Sequence, residues 1–133
     1  MFLYANENKG YFPSRLEELI LTQDISGSVF VCPSSHDTPA TGNSLEEMAA
    51  DFAKPGHHSY LRAPAVDRAN LESYMQPFIL MYEPIENHGD GFHVVDNTGQ
   101  VEFISGPTAP KVLAELRAGH NPPPSWPVHS PKR

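Results

Sequence analysis

The sequence predicts an α+β fold, in which an N-terminal helix stub and short helices pack on a small antiparallel sheet with a late β-hairpin. The 133 residues include fourteen prolines and nine glycines, a share that favours short elements joined by turns. Two β-rich runs, at 92–95 and 100–104, flank Asp96-Asn97-Thr98-Gly99 and predict the hairpin. Serine-based capping patterns predict the short helices.

The helices are predicted from their start and stop signals. Residues 1–6 indicate the end of a helix, which Asn8-Lys9-Gly10 closes. Ser14 and Ser44 each stand three residues before a glutamate, a capping-box pattern that predicts helices over about 14–23 and 44–53. A last helix is predicted to begin at Thr108-Ala109-Pro110 and to end at Gly119, and a helical turn is predicted over 70–75.

The remaining strands are predicted from short apolar runs. Residues 29–32 and 57–61 predict brief strands, with a polar, turn-rich loop over 33–44. Residues 78–83 predict a strand, because an apolar run between two prolines is too short for a buried helix. Alternation along the second hairpin strand places its residues on two faces, with Val101 and Phe103 on one and Gln100, Glu102 and Ile104 on the other.

Length and composition restrict the organisation of the chain. We expect one domain over 1–119, followed by a Pro-rich, extended or disordered tail over 120–133. A net charge of −7 argues against a nucleic-acid partner, because phosphate binding needs a basic surface. A single cysteine excludes an internal disulfide framework and any cysteine-rich metal site.

The densest polar cluster lies at 86–93. His88, Asp90 and His93 offer imidazole and carboxylate ligands of the kind that suits zinc or a similar ion. The alternative is a hydrogen-bonded loop that leads into the hairpin. His57 and His58 are adjacent, and neighbouring residues on a strand point to opposite faces, which argues against a shared ion.

No motif indicates catalysis. Cys32 would need a histidine base to act as a nucleophile, and its position between an apolar run and Pro33 instead indicates a buried, inert thiol. The Ser34-Ser35-His36 segment lacks the Gly-x-Ser-x-Gly pattern, and neither a Walker loop nor a dinucleotide fingerprint occurs. These segments therefore carry no recognised catalytic motif.

Several short phrases occur in a fixed order along the chain. They are YANENKGYFP at 4–13, LEEL at 16–19, FVCPSS at 30–35, SY at 59–60, YEP at 82–84, NHG at 87–89 and NTGQVEFI at 97–104. In this order the sequence resembles the globular domains of type IV pilin-like proteins, and above all the pseudopilin-like proteins of type II secretion with a prepilin-type cleavage and methylation start. The branch it resembles is abundant in planctomycetes. The resemblance covers residues 3–105, and Thr98-Gly99 stands where the family has Asp-Gly, with the acidic side chain displaced to Asp96.

The resemblance implies a structural headgroup that acts in filament or secretion-system assembly by protein–protein contact. It also implies no catalytic residue, no enzymatic activity and no cofactor. The expected partners are other pilin-like subunits or a secretion or assembly machine, on the periplasmic side of the inner membrane or at the cell surface. The family's hydrophobic N-terminal helix is missing from this sequence, and we expect membrane contact only through such a helix. The expected contact residues are Phe2, Leu3, Tyr4 and Trp126.

Two other functions remain open. One is a small metal-binding module or metal-dependent enzyme that uses His88, Asp90 and His93, with His57 or His58 as a further ligand. The other is a partner subunit that docks into a larger assembly through its apolar N-terminal stub and its Pro-rich tail. A tail docked within the chain is equally compatible with the position of Trp126.

Overall fold

The structure is a computed structural model that describes residues 1–64 and 77–127. The chain divides into two compact units, Met1–Arg62 and Ala63–Arg133. Four helices and an antiparallel sheet among the described residues confirm the α+β fold class. The helical turn predicted at 70–75 and the tail residues 128–133 lie outside the described residues.

The first unit is mainly helical. Its elements in chain order are α1 (Phe2–Glu7), α2 (Glu17–Gln23), a 3₁₀ turn (Gly27–Phe30), α3 (Leu45–Phe52) and β1 (Leu61–Arg62). Helices α2 and α3 pack against each other, with Ile20 and Phe52 fully buried. The ring of Phe30 meets that of Phe52 edge to face, with 5.0 Å between centroids. The unit's apolar core therefore includes side chains from both helices and from the turn.

The two capping boxes have different outcomes. At α3 the prediction is confirmed, because Ser44 Oγ accepts a hydrogen bond from the Glu47 amide at 3.1 Å. At α2 it is wrong, because the helix begins at Glu17 and Ser14 Oγ instead donates to Glu18 Oε1 at 2.9 Å. Leu16, which precedes the helix in helical geometry, is buried in the core, and this burial rather than the serine determines the start.

The two short strands predicted in the first unit are largely wrong. Residues 27–30 form a 3₁₀ turn, which Ser26 caps by accepting from the Ser28 amide. Gly27 permits this turn, since a Cβ there would lie 2.7 Å from the Ala40 carbonyl oxygen. Of the predicted strand over 57–61, only Leu61 is in a strand, at the start of β1.

The second unit is built on an antiparallel meander. Its elements are β2 (Ile79–Tyr82), a 3₁₀ turn (Ile85–Asn87), β3 (Gly91–Asp96), β4 (Val101–Ser105) and α4 (Thr108–Arg117). Strand β3 pairs with β2 on one side and with β4 on the other. The predicted strand at 78–83, the hairpin and the last helix are therefore confirmed.

The two faces of the hairpin differ in burial. Phe92, Val94 and Ile104 are buried on the inner face, and α4 supplies apolar side chains to the same core. On the outer face Val101 is 67% exposed and Phe103 41% exposed. The alternation predicted along β4 is confirmed, and the packing of α4 places the Ile104 face inward.

The segment after α4, whose residues 121–127 the structure describes, makes specific contacts with the second unit. Asn121 Oδ1 accepts from the Ile79 amide at 3.0 Å, and its Nδ2 donates to the carbonyl oxygens of Ile79 and Pro64 at 2.8 Å each. Trp126 is only 5% exposed, and its Nε1 donates to Glu102 Oε2 at 3.1 Å. Polar anchors and one large indole thus hold residues 121–126 on the second unit.

Membrane contact was expected only through a preceding hydrophobic helix. Among residues 1–64 and 77–127, no helix is both long enough and apolar enough to cross a bilayer.

Candidate functional site

A buried carboxylate lies at the end of β2. Glu83 follows the strand directly, and its side chain has no exposed surface. Its backbone amide donates to the His93 carbonyl oxygen at 3.3 Å, which extends the pairing of β2 and β3 by one residue. A charged group removed from water is costly unless it is paired or hydrogen-bonded, so the neighbours of Glu83 define what this position can do.

One oxygen of Glu83 carries most of the contacts. Oε1 accepts from the His93 amide at 2.9 Å and lies 2.5 Å from His93 Nδ1. It also lies 2.9 Å from His88 Nε2. The other oxygen, Oε2, accepts from Asn87 Nδ2 at 3.4 Å. We call these four residues the Glu83 cluster, in which two imidazoles meet a single carboxylate oxygen.

The two imidazoles lie side by side at the edge of the cluster. Their ring centroids are 5.0 Å apart, with planes inclined by 77°. Phe103 on β4 contacts both rings, at 5.7 Å from His88 and 4.8 Å from His93. The His88 side chain is 20% exposed and that of His93 is 42% exposed. Solvent therefore reaches the imidazoles but not the carboxylate.

Local sequence positions these groups. Pro84 precedes the 3₁₀ turn Ile85–Asn87, which carries the chain from Glu83 to His88. Gly89 has φ of +81°, a conformation that L side chains rarely adopt, and reverses the chain toward β3. Gly91 lies against β4, where a Cβ would come within 2.3 Å of the Ile104 carbonyl oxygen. The two glycines thus let β3 return with His93 beside Glu83.

The structure brings together two of the three predicted metal ligands. His88 and His93 meet in the Glu83 cluster, whereas Asp90 is exposed. Within the described part of the chain, His88, Asp90 and His93 do not form a set of ligand atoms all within 4.8 Å of one another. The carboxylate beside the histidines is Glu83, which sequence reasoning missed. The available signal was an acidic residue at the end of a buried strand, ten positions before a histidine on the paired strand.

The predicted contact residues have different surroundings. Leu3 on α1 is 69% exposed, and Trp126 is buried within its own unit. The Tyr4 hydroxyl donates to Glu18 Oε2 at 2.6 Å, a bond that lowers the pKa of Glu18 and raises that of Tyr4. Phe2 begins α1, and its side chain lies outside the described set.

The other histidines considered as ligands bind the backbone. His57 Nδ1 lies 3.1 Å from the Thr38 carbonyl oxygen, and His58 Nδ1 lies 2.9 Å from that of Phe52. The His58 ring also stacks on the Phe52 ring at 4.7 Å. Both side chains are half-buried. His57 links its loop to the loop that contains Thr38, and His58 links it to α3.

Cys32 is buried, in agreement with its sequence context. Its amide donates to Ser59 Oγ at 2.9 Å, and that hydroxyl donates to Asp37 Oδ2 at 2.8 Å. Ser35 Oγ donates to the Cys32 carbonyl oxygen at 2.7 Å and lies 2.9 Å from Ser59 Oγ. These bonds satisfy the backbone on both sides of Cys32, which gives the polar network a structural role.

Comparisons of this chain with protein-family models, with curated proteins and with solved structures give no match. Function is therefore argued from the residues and geometry described above.

Proposed function

We propose that this chain is the structural headgroup of a pilin-like or pseudopilin-like protein and that it acts in filament or secretion-system assembly by protein–protein contact. The ordered phrases from 4–13 to 97–104, which resemble that family, support the proposal. The observation that carries it is Leu3, an apolar side chain that is 69% exposed on α1. The resemblance assigns α1 to the junction with a hydrophobic helix.

Helix α1 is held firmly on the first unit while Leu3 stays exposed. Ala5 is buried, and Tyr4 is bonded to Glu18 on α2. Gln23 Nε2 donates to Glu7 Oε2 at 3.0 Å, which adds a second link between the two helices. A helix fixed in this way presents its apolar side chain in a defined position, as a packing contact between subunits requires.

The proposal assigns no catalytic residue. Cys32, the residue considered as a nucleophile, is buried, and its amide donates to Ser59 Oγ in a network that supports the backbone. The proposed partners are other pilin-like subunits or an assembly machine, on the periplasmic side of the inner membrane or at the cell surface. Attachment to the membrane would run through a hydrophobic helix joined to α1.

The experiment uses the protein as its source cell makes it. We would determine its intact mass and its partition between membrane and soluble fractions. A photo-crosslinking residue at Leu3, compared with one at Val29, tests the contact, because Val29 is similarly exposed (63%) and lies in the same unit.

The expected result is a membrane-associated protein several kilodaltons heavier than 14.7 kDa. Crosslinking from Leu3, but not from Val29, should yield a ladder at multiples of the subunit mass. A protein of 14.7 kDa in the soluble fraction, without a ladder from Leu3, would contradict the proposal.

A further inference from the structure

We propose that Glu83, His88 and His93 bind one divalent transition-metal ion, with zinc as the best-matched ion. The inference does not depend on the headgroup proposal. Two imidazole nitrogens and one carboxylate oxygen are a donor set that Zn²⁺ accepts, and the same three-ligand set leaves a position for water. The geometry names the donor atoms as Glu83 Oε1, His88 Nε2 and His93 Nδ1.

The two distances from Glu83 Oε1 to the imidazole nitrogens are within about 1 Å of those in a loaded site. In a tetrahedral zinc site with bonds of about 2.0–2.2 Å, neighbouring ligand atoms lie roughly 3.3 Å apart. Here the nitrogen–oxygen separations are 2.9 Å at His88 and 2.5 Å at His93. Each imidazole nitrogen must therefore move away from Oε1 by less than about 1 Å, and the two nitrogens must also come within roughly 3.3 Å of each other, to admit the ion.

The carboxylate is held in place by groups other than the imidazoles. The His93 amide donates to Oε1 at 2.9 Å, and Asn87 Nδ2 donates to Oε2 at 3.4 Å. Hydrogen bonds of this kind orient a ligand and contribute to metal affinity. The ion would replace the direct contacts between Oε1 and the imidazoles, and these supporting bonds would remain.

The three proposed ligands differ in their exposure to solvent. Glu83 is fully buried, His88 is 20% exposed and His93 is 42% exposed. An ion can approach past His93 and meet the buried carboxylate last. Phe103 packs on both rings and limits their rotation away from the site. The cluster thus combines an entry path past His93 with a carboxylate ligand that its hydrogen bonds already hold in place.

The test is a calorimetric titration of the full chain, freed of metal by a chelator, with ZnCl₂. We expect one ion per chain. His88→Gln and His93→Gln should each weaken the affinity by more than about 100-fold, since loss of a supporting partner alone typically costs 10–100-fold. The matched control is His57→Gln, a half-buried histidine that bonds a backbone carbonyl in the first unit and should leave the affinity unchanged.

A second readout does not depend on the folding of any variant. In the wild-type chain, the ¹⁵N resonances of His88 Nε2 and His93 Nδ1 should shift on addition of one equivalent of ZnCl₂, whereas His57 should not respond. Absence of one-to-one binding would overturn the proposal. So would binding that shifts neither nitrogen, or an equal loss of affinity in His57→Gln. Variants that lose thermal stability but keep full zinc affinity would show that the cluster is only a hydrogen-bonded carboxylate.

Discussion

Replacing Trp126 by alanine tests whether the segment after α4 stabilises the second unit. Trp126 is the chain's single tryptophan, and only 5% of it is exposed. A buried aromatic side chain removes about 150–250 Å² from water, which at about 25 cal/mol per Å² corresponds to about 4–6 kcal/mol. Substitutions of this type cost about 3–5 kcal/mol when measured directly. We expect Trp126→Ala to lower the free energy of unfolding by an amount in that range of about 3–5 kcal/mol.

The loss has an upper limit, because the segment can detach as a unit. Undocking returns backbone entropy of about 1–2 kcal/mol per residue, so the destabilisation cannot exceed the free energy of docking. Asn121 is the second anchor, with three hydrogen bonds to Ile79 and Pro64. If both anchors hold the same cooperative segment, the double variant Trp126→Ala/Asn121→Ala should lose less than the sum of the single losses.

Two matched variants separate the contributions. Trp126→Phe keeps most of the apolar contact but removes the bond from Nε1 to Glu102, and should cost about 1–2 kcal/mol. Val101→Ala truncates a side chain that is 67% exposed, and should stay within about 0.5 kcal/mol of the wild type.

The assay combines urea unfolding by circular dichroism with native-state amide exchange. Exchange of amides in β3 and α4 reports the second unit separately from the first, because protection follows local opening. Trp126→Ala should reduce protection there by an amount that matches the loss of free energy. A Trp126→Ala loss as small as that of Val101→Ala would refute the docking argument.

Three other perturbations test local features. Asp96→Ala should destabilise the hairpin by about 1.5–3 kcal/mol in urea unfolding, because its Oδ1 accepts three bonds within the turn, and Asp96→Asn should cost less. Ser44→Ala should cost about 1 kcal/mol in the same assay, through the lost cap of α3. Bonds from Ser125 hold the pKa of Glu115 below its usual range, so docking of the segment should weaken as the pH falls below about 4.3 and through that lower pKa. Acid titration of the Trp126 fluorescence should show this weakening.

Each of these three perturbations has a control within the same chain. Ser14→Ala should cost less than Ser44→Ala, because Ser14 does not cap a helix, and equal losses would contradict the capping argument. Asp96→Asn keeps the oxygen that the turn requires, so a loss equal to that of Asp96→Ala would contradict the turn argument. Ser125→Ala should reduce the acid response of Trp126, and an unchanged response would assign it to another group.

The two capping boxes show how far a local pattern predicts structure. Ser44 caps α3 as its pattern predicts, whereas Ser14 with the same pattern does not cap α2. The difference lies in Leu16, whose burial brings it into helical geometry at the position before the helix. A capping bond is worth about 1 kcal/mol, and burial of a leucine is worth about twice as much, so tertiary packing determined the start.

The Glu83 cluster shows that local sequence patterns are equally limited in predicting the residues of a site. The sequence indicated His88 and His93 as a pair, but it favoured Asp90 as their carboxylate because Asp90 lies between them. Pairing of β2 with β3 instead places Glu83 beside His93, although ten positions separate them along the chain. Proximity along the chain is a poor guide to the ligands of a site that two strands assemble.

The sequence by itself determined the local features of this protein. Its turn-rich composition and alternating apolar runs predicted the α+β class, the strand at 78–83, the hairpin and the last helix. Only the tertiary structure decided which hairpin face is buried, that residues 121–126 dock, and that Glu83 rather than Asp90 joins the two histidines. The physical reason is the sequence separation over which the interactions act. Turns, caps and periodicity depend on residues close together in the sequence, whereas burial and charge pairing depend on distant residues that folding brings together.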